Sequence, residues 1–101
     1  MFKFIAIFTL LFSQQAAFAG SVTWYNQRGR MANGKTMNPY SFTAAHRTIK
    51  LGSIKTICYK NHCVKVKITD RCNCNGYDLT PAAFRKLNPL RKGRLNNVKI
   101  H

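Results

Sequence analysis

A chain of 101 residues has room for one small domain, and its 17 Lys and Arg against 2 Asp and Glu give a formal charge of +15. There is no Glu, so a pair of catalytic Glu carboxylates is excluded and all carboxylate chemistry passes through Asp70 and Asp78. A hydrophobic share of 46% excludes a disordered basic tail, and the chain has neither the length for a dinucleotide fold nor a Gly-rich phosphate loop, so no cofactor is expected.

The first residues read as an export leader. Lys3 is a short positive start, Phe4 to Phe12 is an apolar run, and Ala17-Phe18-Ala19 is a small-x-small cleavage pattern with the cut before Gly20. The apolar run falls short of the roughly 20 residues that a transmembrane helix needs. No Cys stands at the cut, so no lipid anchor is expected. Loss of residues 1–19 removes only Lys3 from the charged set, leaving 16 basic and 2 acidic side chains, a net charge of +14, on residues 20–101.

Gly20 to Tyr25 reads as a first strand with Val22 and Trp24 on one face. Asn26 to Tyr40, rich in Arg, Asn, Gly and Pro, reads as a long surface loop. Ser41 to Thr48 fits a strand or a short helix, and Leu51-Gly52 ends it. Ser53 to Tyr59 reads as a strand, followed by a turn at Lys60-Asn61. Cys63 to Thr69 carries the clearest pattern: Val64, Val66 and Ile68 alternate with Lys65 and Lys67, which predicts one buried and one wet, basic face. Asp70 to Tyr77 reads as a polar loop. Thr80-Pro81 is a helix start, with Thr as N-cap and Pro at the first helical position, and a helix of about two turns over residues 81–87 follows. Leu95 to Ile100 reads as a last strand. Short strands with one short helix predict a small all-β barrel.

Four Cys in an exported chain predict disulfides. A two-residue turn at Lys60-Asn61 sets Cys58 opposite Cys63, at the roughly 4.5 Å Cα separation of a non-hydrogen-bonded pair. Two arrangements stay open: Cys58 with Cys63 and Cys72 with Cys74, or both hairpin cysteines crossing to the loop cysteines. The C-x4-C and C-x-C spacings lack the usual zinc pattern, so no metal is expected.

Thr23-Trp24-Tyr25, Ala32-Asn33-Gly34, Thr43-Ala44-Ala45-His46-Arg47-Thr48, Ile68-Thr69-Asp70-Arg71 and Asp78-Leu79-Thr80-Pro81-Ala82-Ala83-Phe84 occur in this order. Together they resemble the rare lipoprotein A (RlpA) family of double-psi β-barrels, septal-ring-type lytic transglycosylases related in fold to expansins and barwin. The resemblance implies a six-stranded barrel with a groove for a glycan strand. It implies a catalytic acid at Asp70 and a functional His at His46. It places Lys35 where the family commonly has Glu, Cys72-Asn73 where it has Gly-Pro, and Asp78 at a second acidic position.

Glycosidic cleavage needs a proton donor at the leaving oxygen. Most hydrolases use two carboxyls. A lytic transglycosylase can use one, because the sugar's own 6-hydroxyl attacks and leaves a 1,6-anhydro end. One Asp then serves as acid and afterwards as base, which suits a chain with two Asp and no Glu. Taken with the resemblance, the expected site is Asp70 and His46 for catalysis, with Trp24, Tyr25, Lys35, Arg71 and Asp78 for substrate. Trp24 and Tyr25 offer aromatic faces to sugar rings, and Lys35 offers an ammonium to a substrate carboxylate. The expected partner is peptidoglycan or another anionic envelope polymer, met by a monomer. Export and the lack of an aromatic-basic motif speak against nucleic acid. The rival readings are a non-catalytic expansin- or barwin-like wall-binding module and a secreted toxin or defence protein.

Overall fold

The computed structural model describes residues 18–101. Residues 1–17 of the expected leader lie outside the described residues. Six strands form a closed barrel: β1 (Phe18–Trp24), β2 (Thr43–Ala45), β3 (Ile54–Tyr59), β4 (His62–Asp70), β5 (Tyr77–Leu79) and β6 (Arg94–Ile100). One helix, α1 (Pro81–Arg85), and a 3-10 turn (Leu90–Lys92) lie between β5 and β6. The strands close in the order β1-β5-β2-β4-β3-β6. Two of the pairings, β1 with β5 and β2 with β4, are parallel and join strands far apart in sequence.

The alternation in β4 is realised: Val64, Val66 and Ile68 are buried, while Lys65 and Lys67 are exposed. Val22 from β1, Ile57 from β3, Leu79 from β5, and Leu95 and Val98 from β6 complete the core. Phe84 and Leu87 close one side of it from the helical segment. The hairpin joins β3 to β4 with Cys58 opposite Cys63 and Tyr59 opposite His62. Cys58–Cys63 and Cys72–Cys74 are the disulfides, so the first of the two arrangements is the one formed.

Apart from shifted ends, with β1 starting at Phe18 rather than Gly20, three segments differ from the sequence reading. The 41–48 stretch resolves to a strand of three residues, β2, wedged between β4 and β5. Tyr77 to Leu79, read as loop and helix approach, forms β5, because its backbone pairs with β1 on one side and β2 on the other. The long loop is fastened rather than free: Met31 and Met37 are buried, and Arg30 and Thr36 form an isolated bridge.

Helix α1 starts as expected. Thr80 Oγ1 accepts from the Ala83 N–H (3.4 Å), and Pro81 occupies the first turn. The helix is two residues shorter than the sequence pattern suggests, with its cap at Lys86. Gly76, just before β5, has no room for a side chain, since a Cβ there would collide with the Ser21 carbonyl.

Candidate functional site

Register brings the two acids to one end of the barrel. Thr23 of β1 pairs with Asp78 of β5, Asp78 with Ala45 of β2, and Ala45 with Asp70 of β4. Directly paired residues on neighbouring strands turn their side chains to the same face. One row across four strands thus reads Thr, Asp, Ala, Asp. Two strand spacings separate the Asp backbones by about 10 Å. The small side chain of Ala45 is all that stands between the two carboxylates along this row.

Asp70 ends β4, and three groups hold its carboxylate. Oδ1 accepts from the Ala32 N–H (2.9 Å) and from the Arg71 N–H (2.8 Å). Oδ2 accepts from the Tyr25 hydroxyl (3.3 Å). The Ala32 donor is presented by a tight turn: the Met31 N–H donates to the Lys35 carbonyl, and the Asn33 N–H donates to the Thr69 carbonyl beside Asp70. The Thr69 hydroxyl donates to the buried Met31 sulfur (3.2 Å), so Met31 anchors the turn from below. Burial, then the Asp70 charge, pushes the Tyr25 phenol well above its usual range and keeps it a proton donor to Asp70.

Asp78 lies in different surroundings. Its Oδ1 accepts from the Thr23 hydroxyl at 2.7 Å. Burial raises its pKa above the ordinary 3.8, and the Asp70 charge adds to the rise. The Thr23 hydrogen bond and the Arg94 charge oppose it. Asp78 is thereby favoured in its protonated form relative to a solvated carboxyl.

His46 follows β2 directly. Its backbone N–H donates to the Asp70 carbonyl (3.1 Å). Its Nδ1 accepts from the Thr48 N–H (3.1 Å) and the Ile49 N–H (3.2 Å), which places the ring proton on Nε2. The ring packs on Tyr77, with centroids 4.7 Å apart. Burial, followed by the charges of Arg71, Lys55 and Arg47, lowers its pKa below 6.5.

The other expected site residues fall in two groups. Tyr25, Arg71, Asp78 and the turn carrying Lys35 gather around Asp70, whereas Trp24 does not. Trp24 is half-buried against the core, and its indole N–H donates to the Leu90 carbonyl (2.9 Å). Arg71 donates from Nη1 to the carbonyls of Ile49 (2.6 Å) and His46 (3.3 Å), tying the loop after β2 to the end of β4. Lys35 is exposed, and its N–H donates to Asn33 Oδ1 (3.0 Å). The Cys72–Cys74 disulfide follows Arg71, and Arg47 donates to Asn73 Oδ1 (3.2 Å) in the same loop. Cys58–Cys63 lies on the hairpin.

Sequence reasoning missed Thr23, Ala45 and the Ala32 N–H. Thr23 had a readable signal, since it alternates with Val22 and Trp24 and so faces outward. The Ala32 contact had none, because it is a backbone group 38 residues from its acceptor. Among the described residues no group of three or more His, Cys, Asp or Glu is gathered to hold a metal ion. None of the helices described is long and apolar enough to cross a membrane.

Comparison with known proteins agrees with the fold. An uncharacterized protein of Synechocystis sp., ssl3177, is 38% identical over 82 residues, covering 76% of this chain and 90% of that protein. Among solved structures, the Streptomyces papain inhibitor superposes with a TM-score of 0.74 at 24% identity, over 85% of this chain and 93% of that one. An apo expansin of Clavibacter michiganensis superposes with a TM-score of 0.68 at 19% identity, over 84% of this chain but only 49% of that one. An expansin of the same organism was also solved in complex with cellohexaose. The profile of the family described as lytic transglycolase matches residues 17–100, the whole barrel. The chain therefore belongs to that RlpA-like family of double-psi β-barrels.

Proposed function

We propose that the protein is an exported lytic transglycosylase that cuts peptidoglycan glycan strands to 1,6-anhydro ends, with Asp70 as the acid and base. The observation that carries this reading is the Asp70 carboxyl, fixed at the mouth of the barrel by the Ala32 and Arg71 N–H groups and the Tyr25 hydroxyl. A strand lying along the Thr23–Asp78–Ala45–Asp70 row passes over the one small residue, Ala45, with a carboxyl on either side. Asp70 protonates the leaving glycosidic oxygen. It then takes the proton of the 6-hydroxyl as that oxygen bonds to the anomeric carbon, so no water is consumed. Tyr25 positions Asp70 Oδ2, Asp78 hydrogen-bonds sugar hydroxyls, and His46 assists from the far side of Asp70. Lys35 and Arg71 favour a glycan with anionic substituents.

A second reading is a wall-binding module without cleavage. Lys35, exposed in the turn where the family commonly has Glu, favours it, as does the likeness to an expansin fold that was solved with a bound oligosaccharide. Mass spectrometry of purified sacculi treated with the protein separates the two. The wild type should release 1,6-anhydro muropeptides, and Asp70→Asn, which keeps an Oδ1 acceptor for both N–H groups, should release at least about 100-fold fewer. No release by the wild type, with salt-dependent pelleting on the same sacculi, would replace catalysis with binding.

A further inference from the structure

At the opposite end of the barrel lies a concavity of about 370 Å³, between residues 59–62 of the hairpin and residues 85–89 at the end of α1. His62 opens β4 and Asp70 closes it, so the two ends stand about 26 Å apart along the strand. The concavity falls within the size range of small-molecule sites, about 300–1,000 Å³. Its walls bring Lys60, His62, Arg85 and Lys86 together from two separate elements. No acidic side chain opposes them, since the only two in the chain, Asp70 and Asp78, are at the other end.

Two of the carbonyls near the end of α1 are already engaged by backbone donors. The Phe84 carbonyl accepts from the Leu87 and Asn88 N–H groups, and the Ala83 carbonyl accepts from Lys86. Leu87 is buried and provides an apolar floor. The Lys60 ammonium lies 5.3 Å over the Tyr59 ring, which holds a cation at the rim. Asn61 and Asn88 add amides that donate to and accept from hydroxyls.

We propose that this pocket binds the phosphate group of a phosphorylated polyol, with the Arg85 guanidinium and the Lys60 ammonium on the phosphate, Asn61 and Asn88 on the polyol, and Lys86, whose ammonium lies 5.8 Å over the Phe42 ring, adding positive charge at the edge. A phosphate dianion offers three oxygens and about two charges, which suits a wall carrying several cations better than the single charge of a carboxylate does. The guanidinium of Arg85 suits two of those oxygens at once. This assignment does not depend on the glycan reading of the Asp70 end.

The test is a titration of isotope-labelled protein with glycerol phosphate, followed by amide chemical shifts. Saturable shifts confined to residues 59–62 and 85–89, absent with glycerol, are expected. The variant Arg85→Gln with Lys86→Gln should weaken binding about tenfold or more. Both residues are exposed, and a dispersed spectrum will show that the barrel is intact. The variant Arg28→Gln with Lys50→Gln removes the same charge from exposed positions elsewhere and should bind as the wild type does. Vesicles of phosphatidic acid, whose phosphate is a monoester, against phosphatidylcholine distinguish a lipid headgroup from a soluble ester. Retention on the former that is lost in the Arg85–Lys86 variant would also support the pocket. Shifts spread over the whole surface, or equal weakening by both double variants, would overturn it and leave only diffuse charge.

Discussion

His46 serves the backbone with one ring nitrogen and leaves the other its proton. Because Nδ1 accepts from two N–H groups, protonating it both adds charge beside Arg47 and Arg71 and breaks the turn that follows β2. Its folded pKa lies below the unfolded 6.5, so the folded state binds fewer protons. The associated stability is complete above about pH 6.5 and is lost as pH falls through the folded value. His46→Asn retains an oxygen that can accept from the Thr48 or Ile49 N–H, in the manner of a cap. Thermal melts of the wild type should therefore decline as pH drops below 6.5, while His46→Asn stays flat over that window. His46→Ala should lose about 1–2 kcal/mol at neutral pH. Full transglycosylase activity in His46→Asn would show that the side chain shapes the loop and takes no part in proton transfer. A matching decline in the Asn variant would remove His46 as the titrating group.

At the scale of elements, one hydroxyl joins α1 to the segment that leads into β2. Thr80 is fully buried, accepts from Ala83, and donates to the Ser41 carbonyl at 2.6 Å. Thr80→Ala should cost about 2 kcal/mol in urea unfolding, with Thr80→Ser recovering most of it. Equal losses in both variants would assign the effect to the methyl group. The Thr80 cap was legible because capping is local chemistry. The same holds for β4, where five alternating residues show their period, and for the hairpin, whose two-residue turn sets Cys58 against Cys63. β2 and β5 were not legible in this way. Each has three residues, too few to display a period, and each exists because it is paired on both sides by remote strands. The buried Met31 and Met37 were lost in a run of polar residues that dominates the composition of their loop. At the site, the residue types allowed an acid at Asp70, and the family resemblance singled it out. The Tyr25 hydroxyl bond to Asp70 spans 45 residues and left no trace in local spacing, so Tyr25 was read only as a stacking face.

The whole molecule is electrically lopsided. Both acidic side chains sit at one end of the barrel, while 17 Lys and Arg are distributed along the chain. Attraction to an anionic polymer is then long-ranged and is screened over a Debye length of about 10 Å at 0.1 M salt, shrinking to about 3 Å at 1 M. Pelleting on sacculi should fall by at least about tenfold between 0.05 and 0.5 M salt, and Asp70→Asn should follow the same curve. A salt-independent plateau would instead mean that neutral sugar contacts in the groove dominate retention.

The row of Thr23, Asp78, Ala45 and Asp70 also has a kinetic consequence. Its members come from four strands whose partners are as much as 55 residues apart, and two of the three pairings in the row are parallel. Such contacts form late and slowly, because each must first overcome the entropy of closing a long loop. A hairpin or half-closed barrel, however well its local elements are made, contains no assembled row. The ability to work on a glycan would thus emerge abruptly with the final closure of the sheet, and refolding followed by activity should lag behind refolding followed by secondary structure. If the proposed activity holds, a partly unfolded chain would leave a glycan strand uncut.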